Sequence, residues 1–127
     1  MNPPNFLASS LAVALGGGFG AWLRFAASRL IGPTSFPFAT LIVNILGSLA
    51  MGLLAGWLAR QGGNEGLRLL LAVGVLGGFT TFSAFSLEVV ALAQRGALGM
   101  AALYVAASVA GGVIGLFAGM ALMRGAA

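Results

Sequence analysis

Gly74-Val75-Leu76-Gly77-Gly78-Phe79-Thr80-Thr81-Phe82-Ser83-Ala84-Phe85-Ser86 places three glycines directly ahead of a cluster of hydroxyls and aromatics. The whole stretch lies within an apolar run from about Leu67 to Ala93. A run of that length exceeds the ~20 residues that an α-helix needs to cross a ~30 Å hydrocarbon core. Backbone freed from helical pairing at membrane depth is tolerated only where protein or a water-filled cavity satisfies it. One expectation is therefore a membrane helix broken near 77–81. The other is an intact helix whose glycines permit close packing while its hydroxyls bond back to their own turn. Spacing alone leaves both open.

Outward from this segment, three further apolar runs have spanning length: about Phe6 to Leu30, Phe38 to Leu58, and Ala97 to Met123. Between them, Gly32 to Pro37 carries two prolines and reads as a turn, Gln61 to Gly66 is a polar, glycine-rich loop, and Gln94-Arg95-Gly96 forms the last turn. The sequence thus predicts an all-α membrane protein, a single transmembrane domain of four helices over residues 1–127. Composition agrees, since 60% of the residues are hydrophobic and only 6% charged, against about 25% charged in a soluble domain. The net charge of +4 comes from six arginines against two acids, scattered rather than gathered into the basic stripe that nucleic acid requires. Most of them read as helix-end markers at the headgroups. Without cysteine or histidine, disulfide frameworks, thiol chemistry and the usual zinc or haem sites are excluded. Met1-Asn2-Pro3-Pro4-Asn5 has no basic residue ahead of the first apolar run, so the first helix is expected to be retained rather than cleaved as a signal.

Small residues recur at helical spacing: Ser48, Gly52 and Gly56 on the second helix, and Ser108 with Gly112, then Gly111, Gly115 and Gly119, on the fourth. Such stripes let backbones approach closely, and on a chain this short they suggest packing against a second copy, a homodimer. Alternating helices would place Arg60, Arg68 and Arg124 on one side of the membrane and Arg24, Arg29 and Arg95 on the other. With no arginine bias, neither orientation is favoured, and the chain is expected to insert both ways; leaving out Arg24 as interior to its helix gives three against two, still a weak bias. Some polar groups are not explained by helix ends. Asn44 lies inside the second helix, where its amide needs a partner on another helix or a permeant species. Tyr104 and Ser108 share a face of the fourth helix, Tyr104 too deep for an interfacial belt. Glu88 is the one acid within a predicted span; intramembrane carboxylates are paired or functional, and Arg24 or Arg95 are its candidate partners.

Over essentially its full length the chain resembles the Fluc (CrcB) fluoride channels. The matching residues are Gly17-Gly18-Phe19-Gly20-Ala21-Trp22-Leu23-Arg24, Thr40-Leu41-Ile42-Val43-Asn44 with Gly47-Ser48, and Gly77-Gly78-Phe79-Thr80-Thr81-Phe82-Ser83-Ala84-Phe85-Ser86. The last motif is highly specific; the first two would be weak alone. Three positions depart from the common pattern: Ala39 for glycine, Phe25 for tyrosine, and Ala84 for a threonine whose hydroxyl is thereby lost.

The resemblance implies an antiparallel, dual-topology homodimer with two fluoride pores. It assigns Asn44 as amide donor to the ion, Phe82 and Phe85 as ring edges from the two subunits, and Tyr104 and Ser108 as contributions from the fourth helix. Thr81, Ser83 and Ser86 extend that path, and Arg24 makes the vestibule electropositive. Backbone carbonyls of Gly77 and Thr80 are the implied ligands of a structural sodium ion at the dimer interface. The implied task is passive fluoride export across a bacterial inner membrane, conferring fluoride resistance. Two other classes compete: a dual-topology small multidrug exporter, which should carry an acid in its first helix where this chain has none, and a structural subunit of a membrane complex. An enzyme is disfavoured, because Glu88 has no histidine, cysteine, lysine or aspartate to work with.

Overall fold

The computed structural model describes residues 4–125. Met1 to Pro3, on which the signal-sequence reading partly rests, lie outside the described residues. Helix α1 (Phe6–Ile31) starts where the Asn5 side chain accepts from the Ala8 N–H at 2.8 Å, satisfying one of the free donors of a helix N-terminus. It ends at Gly32, whose φ of 78° is a left-handed conformation that glycine adopts without a Cβ clash. Helix α2 (Phe38–Arg60) follows Pro37. A short α3 (Glu65–Leu67), capped by Asn64, opens the third apolar segment two residues ahead of the sequence estimate. There Arg68 and Glu65 form a 2.7 Å ion pair.

The third segment changes conformation along its length. A π-helix occupies Arg68–Leu76, followed by α4 (Gly77–Phe79) and, after three residues, by α5 (Ser83–Gln94). Thr80 takes an extended conformation, φ −84° and ψ 157°. The turn after α5 closes through Ala97 N–H donating to the Leu92 carbonyl at 2.9 Å, and α6 (Leu98–Gly125) completes the chain. Four helical segments are long and apolar enough to cross a membrane, and no strand occurs among the described residues.

Two glycine-mediated crossings organise these segments. A methyl at Gly16 would stand 2.5 Å from the Leu70 carbonyl and 3.1 Å from Gly74 Cα, and one at Gly78 would collide with the Gly17 backbone. So α1 lies directly on the π-helix and α4. Between α2 and α6, Gly52 meets the Leu116 backbone and Gly119 the Leu49 carbonyl. Facing pairs advance together, from Ile45–Gly111 to Ser48–Gly112, Gly52–Leu116 and Gly56–Met123, so these two helices run parallel. This corrects one inference from sequence: the stripes on α2 and α6 are used within one chain, against each other, and are no argument for a second copy.

The protein is apolar outside as well as in. Large hydrophobics such as Phe6, Leu15, Leu30 and Phe117 are exposed, while a small core gathers Leu92, Ala101 and Tyr104 with Phe36, Leu41, Phe85 and Val89. Such a surface suits lipid, which requires instead that backbone groups be satisfied internally.

Candidate functional site

Thr40, Asn44 and Ser48 are spaced four residues apart on α2 and therefore share one face, spanning about 12 Å along the axis at the α-helical rise. Each meets a different part of the third segment or α6. The Asn44 side chain pairs with the backbone of Thr81 twice: Nδ2 donates to the Thr81 carbonyl at 3.0 Å, and Oδ1 accepts from the Thr81 N–H at 2.8 Å. An N–H cannot accept, so this pairing fixes the orientation of the amide. Because a primary amide carries two N–H groups, one donor remains for another partner. The Thr40 hydroxyl donates to Glu88 Oε1 at 2.7 Å.

A cavity of about 330 Å³ opens beside Asn44, lined by Ser48, Thr80, Thr81, Phe82, Phe85 and Ser108 among others. Tyr104 stands one turn before Ser108 on α6 and is fully buried. Its ring meets Phe85 edge-on, with centroids 5.0 Å apart. The Tyr104 hydroxyl lies beside the Thr40–Glu88 pair but outside hydrogen-bonding geometry, and Ser108 Oγ is likewise buried without a partner. Leaving a buried hydroxyl unsatisfied costs about 1–3 kcal/mol, and of the two, Ser108 is the one that faces the cavity beside Asn44. Phe82 is 78% exposed, with its ring 5.7 Å from that of Phe85 and tilted to it.

The remaining predicted residues are distributed around this cavity. Thr81 Oγ1 accepts from the Ala84 N–H at 3.1 Å, serving the first turn of α5. Ser83 is exposed, and Ser86 donates back to the Phe82 carbonyl at 2.9 Å. Arg24 lies outside the cavity lining; its Nε donates to the Gly78 carbonyl at 3.2 Å. Gly77 and Thr80 are linked by what their carbonyls lack. The N–H groups four residues on, at Thr81 and Ala84, are taken by Asn44 Oδ1 and Thr81 Oγ1 respectively. Both carbonyl oxygens are thereby released from the helical pattern, and such neutral oxygens suit a hard cation.

The structure gives Glu88 a different partner from those the sequence suggested. Thr40 holds it, while Arg24 bonds to Gly78 and Arg95 to the Ser35 carbonyl at 3.1 Å. Thr40 was missed as a site residue, although its four-residue spacing from Asn44 and Ser48 is visible in the sequence.

A family profile described as "CrcB-like protein, Camphor Resistance (CrcB)" matches residues 11–120. Similar curated proteins include the fluoride-specific ion channel FluC of Novosphingobium aromaticivorans, 63% identical over 120 residues, covering 91% of this chain and 95% of that protein. Those of Rhodopseudomonas palustris, 53% identical over 119 residues, and Rhodospirillum centenum, 56% identical over 119, each cover 90% of this chain and 95% and 94% of the respective relatives.

Proposed function

Because the chain belongs to the CrcB family, we propose that it is a fluoride-specific ion channel, a multi-pass membrane protein that moves the anion passively rather than an enzyme. The observation that carries this reading is the buried, unpartnered hydroxyl of Ser108 in one cavity with an asparagine that has an uncommitted N–H; the Tyr104 hydroxyl, one turn earlier on the same helix, is likewise buried without a partner. Fluoride is small and strongly hydrated, so a pore must replace its water with donors. Hydroxyls and an amide N–H donate, and the positive edge of an aromatic ring faces an anion favourably. Phe82 and Phe85 supply such edges, and the exposure of Phe82 is consistent with a place between subunits. Narrowness and apolar walls then disfavour larger halides, provided that binding stays weak enough for release.

The working unit in this proposal is an antiparallel, dual-topology homodimer in the bacterial inner membrane, with two pores and the third helix broken at membrane depth. The equal division of arginines supports it, as does the departure from helical geometry at Thr80. Asn44, Phe82, Phe85, Tyr104 and Ser108 form the ion path, extended by Thr81, Ser83 and Ser86. Arg24, through its charge, draws fluoride toward the mouth. Gly77 and Thr80 would hold a sodium ion at the interface; when bound, it adds fixed positive charge and ties the subunits together. A negative cell interior drives the anion outward, contributing about 2.3 kcal/mol per charge for each 100 mV.

Efflux from liposomes carrying the purified protein tests the reading, with fluoride compared against chloride and wild type against Phe82→Ile. Rapid fluoride loss, little chloride loss and a slower variant are expected. Folded wild-type protein that releases no fluoride would overturn the channel assignment.

A further inference from the structure

We propose that Ser48 is an ion-coordinating residue of the pore, its hydroxyl adding a donor for dehydrated fluoride one helical turn beyond Asn44, in the cavity that Ser108 also lines. Read as sequence, Ser48 is merely the first member of a small-residue packing stripe. In the structure it differs from Gly52 and Gly56, which continue that stripe: they press against Leu116 and Met123, whereas Ser48 lines the same cavity as Asn44 and Ser108. A lone serine in an apolar helix ordinarily bonds back to a carbonyl of its own turn, as Ser86 and Thr80 do here. Among the described residues, no such bond is made by Ser48.

Opposite Ser48 stands Gly112, where even a methyl would come only to 3.4 Å of the serine oxygen. The absence of a side chain there keeps the space in front of the hydroxyl open. Ser108, one turn earlier on α6, contributes the buried Oγ that has no protein partner. Two hydroxyls on parallel neighbouring helices therefore converge on one cavity with their donors uncommitted. An anion that has given up water at Asn44 finds its next donors here, and no rearrangement of backbone is needed to present them.

This inference rests on the channel reading, so the experiment separates the two. Fluoride efflux from liposomes is first established for wild type, whose failure would count against the channel itself. Ser48→Ala then removes one oxygen and keeps a small side chain, so helix packing is preserved. Efflux about tenfold slower than wild type is expected, the effect of losing one hydrogen bond to a charged species, with chloride still excluded and an unchanged thermal unfolding midpoint. A wild-type rate in Ser48→Ala would overturn the proposal and return Ser48 to a packing role. Should the alanine variant not fold, Ser48→Cys, which keeps a γ-heteroatom with a weaker donor, is read by the same criterion.

Discussion

Asn44 is committed to the third segment on one side of its amide and uncommitted on the other. Its paired hydrogen bonds to Thr81 hold the chain where the third segment leaves helical geometry, and its second N–H has no protein partner among the described residues, the donor that the proposed channel would use. The sequence showed that an interior asparagine needs a partner and left open whether that was a helix or an ion. The structure supplies the protein partner, the Thr81 backbone, and leaves one N–H over. Asn44→Asp is nearly isosteric but places a carboxylate oxygen against the Thr81 carbonyl and negative charge in the proposed anion path. We expect fluoride efflux at least about tenfold slower and a stability loss of roughly 1–3 kcal/mol, read from liposome flux and thermal unfolding in detergent. Normal flux would show that the amide donor is dispensable. Glu88 illustrates the limit of residue-level reading: the rule that an intramembrane acid requires a partner applied, but that rule favours charged partners and passed over the hydroxyl of Thr40.

At the scale of elements, the third segment shows the close packing that one reading of its glycines expected, and a local departure from helical geometry beyond them. Gly74 and Gly78 are positions of close backbone approach to α1, while the chain leaves helical geometry only afterwards, at Thr80. Gly-rich spacing alone cannot separate these outcomes, because a missing Cβ serves close packing and unusual backbone equally. What decides is the neighbour: Asn44 and Thr81 side chains take the N–H groups that a continuous helix would have used. Gly78→Ala should therefore force α4 away from Gly17 and destabilise the protein by about 1–3 kcal/mol. Gly99→Ala, where nothing lies within 4 Å, should be neutral or gain about 0.5–1 kcal/mol of helix propensity. Unfolding midpoints of the two variants check this, and equal midpoints would contradict the role assigned to the α1 crossing.

For the whole molecule, Arg60 and Arg95 sit toward opposite ends of the bundle, bonded to the Met123 and Ser35 carbonyls, while Arg24 reaches inward to the Gly78 carbonyl. Because insertion follows Lys/Arg bias, two added lysines in the 61–66 loop should fix a single orientation. That variant alone should lose fluoride flux if the working unit is antiparallel, and co-expression with a chain carrying lysines in the 32–37 turn should restore it. Orientation reporters with whole-cell fluoride release check both steps; full flux from the singly oriented chain would exclude the antiparallel arrangement. Much of this protein was set by sequence alone: the membrane as solvent, the four spans and the family motifs, because hydropathy over ~20 residues and local residue types are properties of the chain itself. Tertiary structure alone decided that the small-residue stripes of α2 and α6 meet each other, that Thr40 rather than an arginine holds Glu88, and that Ser48 joins Ser108 at one cavity. These depend on which faces of distant helices are brought into register, and helical periodicity marks a face without naming the one opposite it.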